Sequence, residues 1–251
     1  MGLFETDGEA EDWPTNPNFW SFRKGGARAG DLKFEDRLIT YVDENGEVVS
    51  VKDGVINKGD NTLENPGDYR VIGNSEPRYQ FGFTMHGEWN NFDFNAFFNG
   101  VGKRDFYPAI GTNNFWSVYS KKYAVLLDHV VNDSWTEENP NAYFPRRRAY
   151  LADNHELSIP QTRYLQNAAY IRLKNVTFGY TIPKEVSRKI KIEKLRVYFN
   201  GQNLWEHSAL KKYSLDPEGL EKDPDATAGS VGNGTAYPIA RVYSLGVQVK
   251  F

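Results

Sequence analysis

The sequence predicts an all-β protein in which an antiparallel meander of five strands forms part of a transmembrane β-barrel, with long loops at one end. The chain ends in "RVYSLGVQVKF", where apolar and polar residues alternate with the period of a strand. Four further stretches alternate in the same way, and the connections between the five are long and short in turn. The composition, 15% aromatic with 22 glycines, suits strands joined by polar, glycine-rich loops.

Composition also excludes several classes of protein. A net charge of -3 gives no basic excess, so nucleic acid is excluded as a partner. With no cysteine there are no disulfides or thiolate metal sites. No apolar run approaches the ~20 residues of a membrane helix, so a membrane span would have to use strands. The first residues, "MGLFETDGEAEDW", carry acids where a secretory leader has a basic and then an apolar stretch, so no export signal is expected.

Residues 1–78 are predicted to form a loop region with one small hairpin. "RLITYV" and "EVVSV" are short strand-like pieces around the turn signal "DENG". The first two strong strands are predicted at 79–88 and 91–101. Only Trp89, Asn90 and Asn91 separate their alternating apolar residues, which predicts a tight hairpin. Residues 102–168 lose the alternation, and one short helix is expected near "VYSKKYAVLLDHVV".

Three further strands complete the predicted meander, in which each strand pairs with its neighbour along the chain. The stretch "YIRLKNVTFGYTIP" contains the strand at 170–182, and a shift in its apolar phase predicts a bulge near Lys174 and Asn175. The basic, amphipathic "KEVSRKIKIEK" leads to the strand at 194–205. A third long loop then leads to the strand at 240–251.

The lengths of the connections favour a membrane barrel over a soluble sandwich. With Phe251 at the inner interface, both short connections lie inside and all three long loops lie outside, as in transmembrane barrels. The alternative is a secreted carbohydrate-binding or structural β-sandwich, which would bury its apolar residues in a common core. The barrel instead predicts an apolar face that stays exposed in the isolated chain. That outward set is Phe81, Phe83, Phe92, Phe94, Phe98, Val197, Phe199, Leu245 and Val247.

The opposite faces of the same strands carry polar residues that would line the lumen of a barrel. The alternative is the solvated face of a sandwich, and only the argument for a membrane barrel separates the two. The polar set is Gln80, Thr84, His86, Glu88, Asp93, Asn95, Asn99, Arg196, Asn200, Gln202 and Lys250.

Several separate motifs resemble one family, in order along the chain. They are "VIGNSEPRYQFGF", "NFDFNAFFNGVGKRDFY", "DSWTEENPNAYFPR", "YIRLKNVTFGYTIP", "LRVYFNGQNLW", "DPE" and "YPIARVYSLGVQVKF". Together they resemble the carboxy-terminal part of SusC/RagA-type TonB-dependent outer-membrane transporters, from Gly2 to Phe251.

The resemblance implies that the chain belongs to a nutrient importer and not to an enzyme. Such a transporter has a barrel of about 22 strands closed by an amino-terminal plug. It is energised by TonB, covered outside by a SusD-like lipoprotein, and imports glycans or peptides, with no cofactor. The chain would then be the last strands of the barrel, 79–251, in the outer membrane. Its partners would be the rest of the barrel, the plug, the TonB system and lipid, and it would be inactive alone.

One family feature is altered in this chain. Family members often carry an acidic, calcium-like "DxNGDG" run after the "GDLKF" segment, which is found here at Gly30 to Phe34. This chain has "DENGEVVSVKDG" instead, with Asp43, Asn45 and Asp53 spread over a longer insert. No metal site is therefore assigned from Asp43 to Asp53.

The terminal strand has a function by resemblance, because the assembly machinery of the outer membrane recognises such strands. An ordinary edge strand is the alternative. Trp89 and the two ends of the terminal strand would be girdle aromatics at the membrane interfaces. The assembly signal comprises Tyr243, Leu245, Val247, Val249 and Phe251.

The second long loop carries aromatic residues that could contact cargo by stacking on sugar rings, or could simply hold the loop together. These are Trp116, Tyr119, Tyr123 and Trp135. A glycosidase is the third reading, and it needs two carboxylates ~5 to 9.5 Å apart. No spacing pairs the candidate acids, which are Glu137, Glu138, Asp153, Glu156, Asp216 and Glu218.

Overall fold

A computed structural model describes residues 2–14, 26–60, 62, 67–121, 123–147, 156–220 and 239–251. These residues form two compact units. One unit comprises the described residues of Met1–Asn74 and Tyr107–Leu165. The other comprises the described residues of Ser75–Phe106, Gln166–Lys222 and Gly234–Phe251, and it contains all five predicted strands. None of the described helices is long and apolar enough to cross a membrane.

The described elements are mainly strands, with short helical turns between them. The strands are β1 Gly2–Leu3, β2 Leu32–Lys33, β3 Ile39–Val42, β4 Val48–Val51, β5 Arg78–Trp89, β6 Phe92–Lys103, β7 Asp105–Phe106, β8 Gln166–Asn167, β9 Tyr170–Thr181, β10 Lys194–Ser208 and β11 Val242–Lys250. The α-helices are α1 Asp7–Glu11, α2 Asn113–Trp116, α3 Asp128–Asn132 and α4 Lys184–Ser187. The 3₁₀ turns are Ser117–Tyr119, Arg188–Ile190, Ala209–Tyr213 and Pro217–Leu220.

The main sheet is a five-stranded antiparallel meander in the order β11-β10-β9-β6-β5. This confirms the predicted fold class and the pairing of each strand with its neighbour. The observed strands begin and end within about three residues of the predicted bounds. β5, β9 and β11 run in one direction and β6 and β10 in the other, so both short connections lie at one end of the sheet.

The register places the apolar residues of all five strands on one face. Phe94 lies opposite Phe178, Phe178 opposite Phe199, and Phe199 opposite Leu245. The intervening residues, such as Asn95, point to the other face because side chains in a strand alternate. The alternation of apolar and polar residues in the sequence therefore produces one apolar face and one polar face that extend across the sheet.

The predicted bulge in β9 is confirmed. Phe97 pairs with Asn175 and Phe98 pairs with Leu173, so Lys174 is the extra residue. The insertion restores the phase of the apolar residues on either side of it, which accounts for the shift seen in the sequence.

The hairpin between β5 and β6 turns on two residues. Asn90 and Asn91 have φ angles of 46° and 66°, the left-handed region in which asparagine is tolerated better than most residues. Positive φ at both central positions characterises the two-residue turns whose twist matches that of the flanking strands. The turn is one residue shorter than predicted, because Trp89 still belongs to β5.

The predicted small hairpin near the amino terminus is also present, as β3 paired with β4. The short helix expected near "VYSKKYAVLLDHVV" is present at the end of that stretch, as α3 Asp128–Asn132. Ser117 has a φ of 51°, so α2 ends at Trp116, and the 3₁₀ turn Ser117–Tyr119 follows it. The hydroxyl of Ser117 donates to the carbonyl of Val125.

Candidate functional site

The apolar face of the meander is exposed, as the barrel hypothesis requires and the sandwich alternative does not. None of the nine residues of the outward set is buried; six are exposed, and the other three are partly exposed. The aromatic rings on this face contact each other across the strands. Phe83 stacks on Phe98 with 4.9 Å between the ring centroids, and the ring centroids of Phe92 and Tyr180 are 4.7 Å apart. Exposed apolar surface of this extent is typical of a face that contacts lipid or a partner protein.

The terminal strand lies at one edge of this face. All five residues of the predicted assembly signal are exposed, and Leu245 and Phe251 have exposed fractions of 84% and 89%. Trp89 and Phe251 lie at the end of the sheet that carries the short connections, and Tyr243 lies toward the opposite end. This is the placement expected of girdle aromatics, and recognition by an assembly machinery stays a prediction.

The polar face contains an ion pair near the end that carries the short connections. Arg196 on β10 donates to both carboxylate oxygens of Asp93 on β6, at 2.8 and 2.5 Å. Gly179, on the intervening strand β9, pairs with Asp93 and leaves the space that the two side chains fill. The guanidinium also lies 4.8 Å from the ring centroid of Tyr198. A polar groove of about 600 Å³ adjoins the pair and is lined in part by His86 and Gln248.

Replacing Gly179 with alanine is expected to destabilise the protein by about 1 to 3 kcal/mol, the usual cost of overpacking. A Cβ at this position would lie 2.4 Å from Asp93 Oδ1 and 2.5 Å from Arg196 Nη2, so the ion pair would have to separate. Gly87→Ala is the matched control, because a Cβ there meets nothing within 4 Å. Urea unfolding of the protein in detergent measures both variants. Equal stability of the two would contradict this account.

A second charged cluster lies on the polar face near the other end of the sheet. Arg172 on β9 is only 2% exposed, and three carboxylates surround it. Its Nη1 donates to Glu218 at 2.7 Å, and its Nη2 donates to Asp216 at 2.9 Å and also to Glu206. Sequence reasoning did not single out Arg172, whose one signal was a charge between two apolar residues of a strand.

The glycosidase reading finds no support in these carboxylates. Asp216 and Glu218 are held by Arg172, and Glu218 also accepts from Lys174 at 2.7 Å. Glu137 and Glu138 are exposed, whereas Glu156 is buried. Asp153 lies outside the described residues.

Three of the four aromatic residues proposed as cargo contacts are buried. The expectation that these three side chains are exposed is therefore wrong. Trp116 donates through Nε1 to the carbonyl of Pro108 at 2.8 Å and is 0% exposed. Tyr119 donates to the carbonyl of Pro145 at 2.5 Å and is also buried. Trp135 is 8% exposed, and Gly30 packs against its ring. They hold the loop together, which is the alternative that the sequence left open, and only Tyr123 is exposed, at 77%.

Several buried rings of the second long loop pack into an aromatic cluster. The ring centroid of Trp116 lies 4.7 Å from that of Phe115 and 5.0 Å from that of Tyr164. Phe144 packs against all three of these rings. Edge-to-face arrangements predominate, as is typical of packed aromatic side chains. Burial raises the pKa of the hydroxyls of Tyr107, Tyr119 and Tyr164 above the ordinary tyrosine value.

Alkaline pH is therefore expected to unfold this cluster. The unfolded tyrosines ionise near pH 10, and the folded ones keep their protons to higher pH, so the folded state binds more protons there and its stability falls as the pH rises above ~10. Tyrosinate absorbance and near-ultraviolet circular dichroism should show Tyr107, Tyr119 and Tyr164 ionising only as the aromatic signal disappears. Ionisation of every tyrosine near pH 10 with that signal intact would contradict this expectation.

No group of three or more histidine, cysteine, aspartate or glutamate side chains arranged to hold a metal ion occurs in the part of the chain that the structure describes. Asp43 and Asp53 serve local turns instead. Asp43 Oδ1 accepts from the backbone N–H groups of Asn45 and Glu47, and Asp53 Oδ1 accepts from that of Val55.

Comparison with known proteins gives relatives of one kind. No protein-family model matches the chain. It is 26% identical over 228 residues to TonB-dependent receptor P3 of Formosa agariphila, and 29% identical over 216 residues to TonB-dependent receptor P26 of the same organism. These alignments cover 89% and 84% of the chain but only 20% and 19% of the relatives. The chain thus spans about a fifth of the length of the receptors that it matches.

Solved structures show the same fold. A structure of the RagAB peptide importer in the 'closed-closed' state aligns with a TM-score of 0.50 at 23% identity, covering 84% of this chain and 20% of that one. A structure of the RagAB peptide transporter aligns with a TM-score of 0.51 at 24% identity, covering 73% and 18%. Receptors and transporters are not enzymes, so no catalytic activity is assigned. Together these similarities confirm the resemblance to SusC/RagA-type TonB-dependent transporters that the motifs indicated, over about one fifth of such a protein.

Proposed function

We propose that the chain forms the carboxy-terminal strands of the β-barrel of a TonB-dependent outer-membrane nutrient importer. The observation that carries this proposal is the five-stranded meander with one exposed apolar face and one charged, hydrogen-bonded face. A barrel in lipid requires such a sheet, because its outer face meets hydrocarbon and its inner face meets water or a plug.

The orientation follows from the connections. The short ones, at Asn90–Asn91 and from Ile182 to Glu193, lie at the inner, periplasmic side, and the longer ones lie outside. The short basic connection contains α4 and the 3₁₀ turn Arg188–Ile190, which is capped by Lys191 with a φ of 59°. Residues 1–78 and 107–165 then belong to extracellular loops, and the unit built around Trp116 and Phe144 is an ordered loop domain.

The remaining partners follow from the same proposal. The open edges of β5 and β11 pair with further strands of the barrel, and the polar face meets the plug that the TonB system acts on. A SusD-like surface lipoprotein covers the outer opening, and the cargo is a glycan or a peptide. Tyr123 is the one exposed aromatic among the candidate cargo contacts. By itself the chain imports nothing.

Fractionation of cells that produce the full-length receptor tests this function. The receptor should appear in the outer membrane, require detergent for extraction, and change its gel mobility on heating, because a folded barrel resists the detergent of the gel. A receptor that is released without detergent and runs identically before and after heating would contradict the proposal and favour a soluble sandwich.

A further inference from the structure

A folded piece of chain lies on the polar face of the sheet directly after β10. It consists of the 3₁₀ turns Ala209–Tyr213 and Pro217–Leu220 with three residues between them, and we refer to it as the 209–220 segment. Four of its apolar side chains have exposed fractions of 3% or less. They are Leu210, Tyr213, Leu215 and Leu220. A mobile surface loop would not bury so many apolar groups, so the segment has a defined structure.

Polar contacts fix the segment to two strands of the sheet and to Arg104, which follows β6. Glu218 accepts from Asn99 on β6 at 3.4 Å, from Tyr170 on β9 at 3.2 Å and from Arg172 on β9 at 2.7 Å. At its far end, the carbonyl of Leu220 accepts from Arg104 Nη2 at 2.7 Å. These contacts lie where β6 and β10 end and β9 begins, which is the outer end of the sheet under the proposed orientation.

Arg172 is the centre of this arrangement. A guanidinium that faces a water-filled lumen would be hydrated, yet Arg172 has lost nearly all of its contact with solvent. Burial of a charge is costly unless the charge is paired, and here Glu206 of β10 and Asp216 and Glu218 of the segment supply the pairing. Two of its three partners therefore belong to the segment, and these contacts hold only while the segment stays on the sheet.

We propose that Arg172 is a positioning residue that holds the 209–220 segment against the inner wall at the outer mouth of the barrel. The segment then forms part of the lining of the mouth. This inference rests on the proposed function, since only a barrel gives the polar face a lumen. Removal of Arg172 frees the segment without removing a strand, so the barrel still assembles but its mouth is lined differently.

The absence of cysteine from this chain allows a clean test. In a cysteine-free form of the full-length receptor, Leu215→Cys places a thiol at a buried position of the segment, and Lys212→Cys places one at an exposed position. Intact cells are treated with a membrane-impermeant maleimide. With Arg172 present, the thiol at position 215 should stay unlabelled and the thiol at 212 should react.

Arg172→Ala should raise the labelling rate at position 215 by about tenfold or more, because the segment then opens locally at lower cost. Arg172→Lys should give an intermediate rate, since an ammonium keeps the charge but not the fork of donors. Glu218→Gln weakens the cluster while keeping its shape, and it should also increase labelling. Lys250→Ala, which removes an exposed ion pair with Glu193 at the other end of the sheet, should leave labelling unchanged.

The outcomes separate the two proposals. An Arg172→Ala receptor that reaches the outer membrane and keeps the thiol at 215 unlabelled overturns the role of Arg172 but leaves the importer standing. If that variant fails to assemble, the Arg172→Lys and Glu218→Gln receptors decide the matter, and unchanged labelling in both overturns the role. A parent receptor that is absent from the outer membrane contradicts the proposed function itself.

Discussion

Replacing Leu245 with arginine is expected to lower the ratio of folded to unfolded barrel in lipid by about 30- to 700-fold. Leu245 lies in the middle of β11, on the apolar face, and is exposed. An arginine facing lipid at the bilayer midplane of a barrel costs about 2 to 4 kcal/mol, and each 1.4 kcal/mol is a factor of ten in the equilibrium. Urea titration of the receptor refolded into lipid vesicles measures the change.

Ser244→Arg is the matched control for this substitution. Ser244 is the adjacent residue on the same strand, and it lies opposite Asn200 on the polar face. An arginine there meets the lumen and should change the free energy of unfolding far less than Leu245→Arg does. Two variants of equal stability, or a greater loss for Ser244→Arg, would mean that the faces of the sheet have been assigned the wrong way round.

The second large effect is expected when the 251-residue chain is produced by itself: it should associate into oligomers or aggregates and import nothing. Among the residues that the structure describes, no strand pairs with the outer edges of β5 and β11, so the sheet has two open edges. An unpaired group in hydrocarbon costs several kcal/mol, and in water an open edge beside an apolar face promotes association between chains. Size-exclusion chromatography and sedimentation in detergent-free buffer measure the association.

Co-production of the remaining strands of the receptor is the control for this prediction. If the edges cause the association, pairing them with their neighbours in a closed barrel should remove it, and the chain should then enter the outer membrane. A monodisperse monomer that needs no detergent and melts cooperatively would show that the chain is a self-sufficient soluble domain.

The sheet could be predicted closely from the sequence, because successive side chains of a strand point to opposite faces and the apolar residues therefore recur with a period of two. The alternation in Tyr243 to Phe251 and in Phe92 to Phe98 located two strands and their outward faces, and the phase shift at Lys174 located a bulge. A turn of two asparagines fixed the register of the first hairpin. Each of these signals lies within about ten residues of chain, and none of them depends on distant contacts.

The parts that could not be predicted depend on contacts between residues far apart in sequence. Trp116 and Trp135 lie in a stretch whose composition is typical of an exposed loop. They are nevertheless buried, because Phe144 and Tyr164 pack on Trp116 and Gly30 packs on Trp135. Nothing local distinguishes a buried loop tryptophan from a cargo-binding one.

The charged cluster was missed for a related reason. Arg172 differs from other strand arginines only through Asp216 and Glu218, more than forty residues away along the chain. The sequence did contain the "DPE" motif, but nothing near it in the chain identifies the group that its acids contact. Only the fold brings them to one guanidinium.

The most direct test of the account is a single-cysteine scan of β11, from Val242 to Lys250, in the full-length receptor in its native membrane. Each thiol is treated with a water-soluble maleimide before and after solubilisation and unfolding. We expect alternation, with the Ser244 and Gln248 positions reacting in the membrane and the Tyr243, Leu245 and Val247 positions reacting only after unfolding. Gly246 is left out of the scan, because a side chain there would meet the Tyr198 ring. Labelling of both sets in the native membrane without alternation would contradict a lipid-facing sheet.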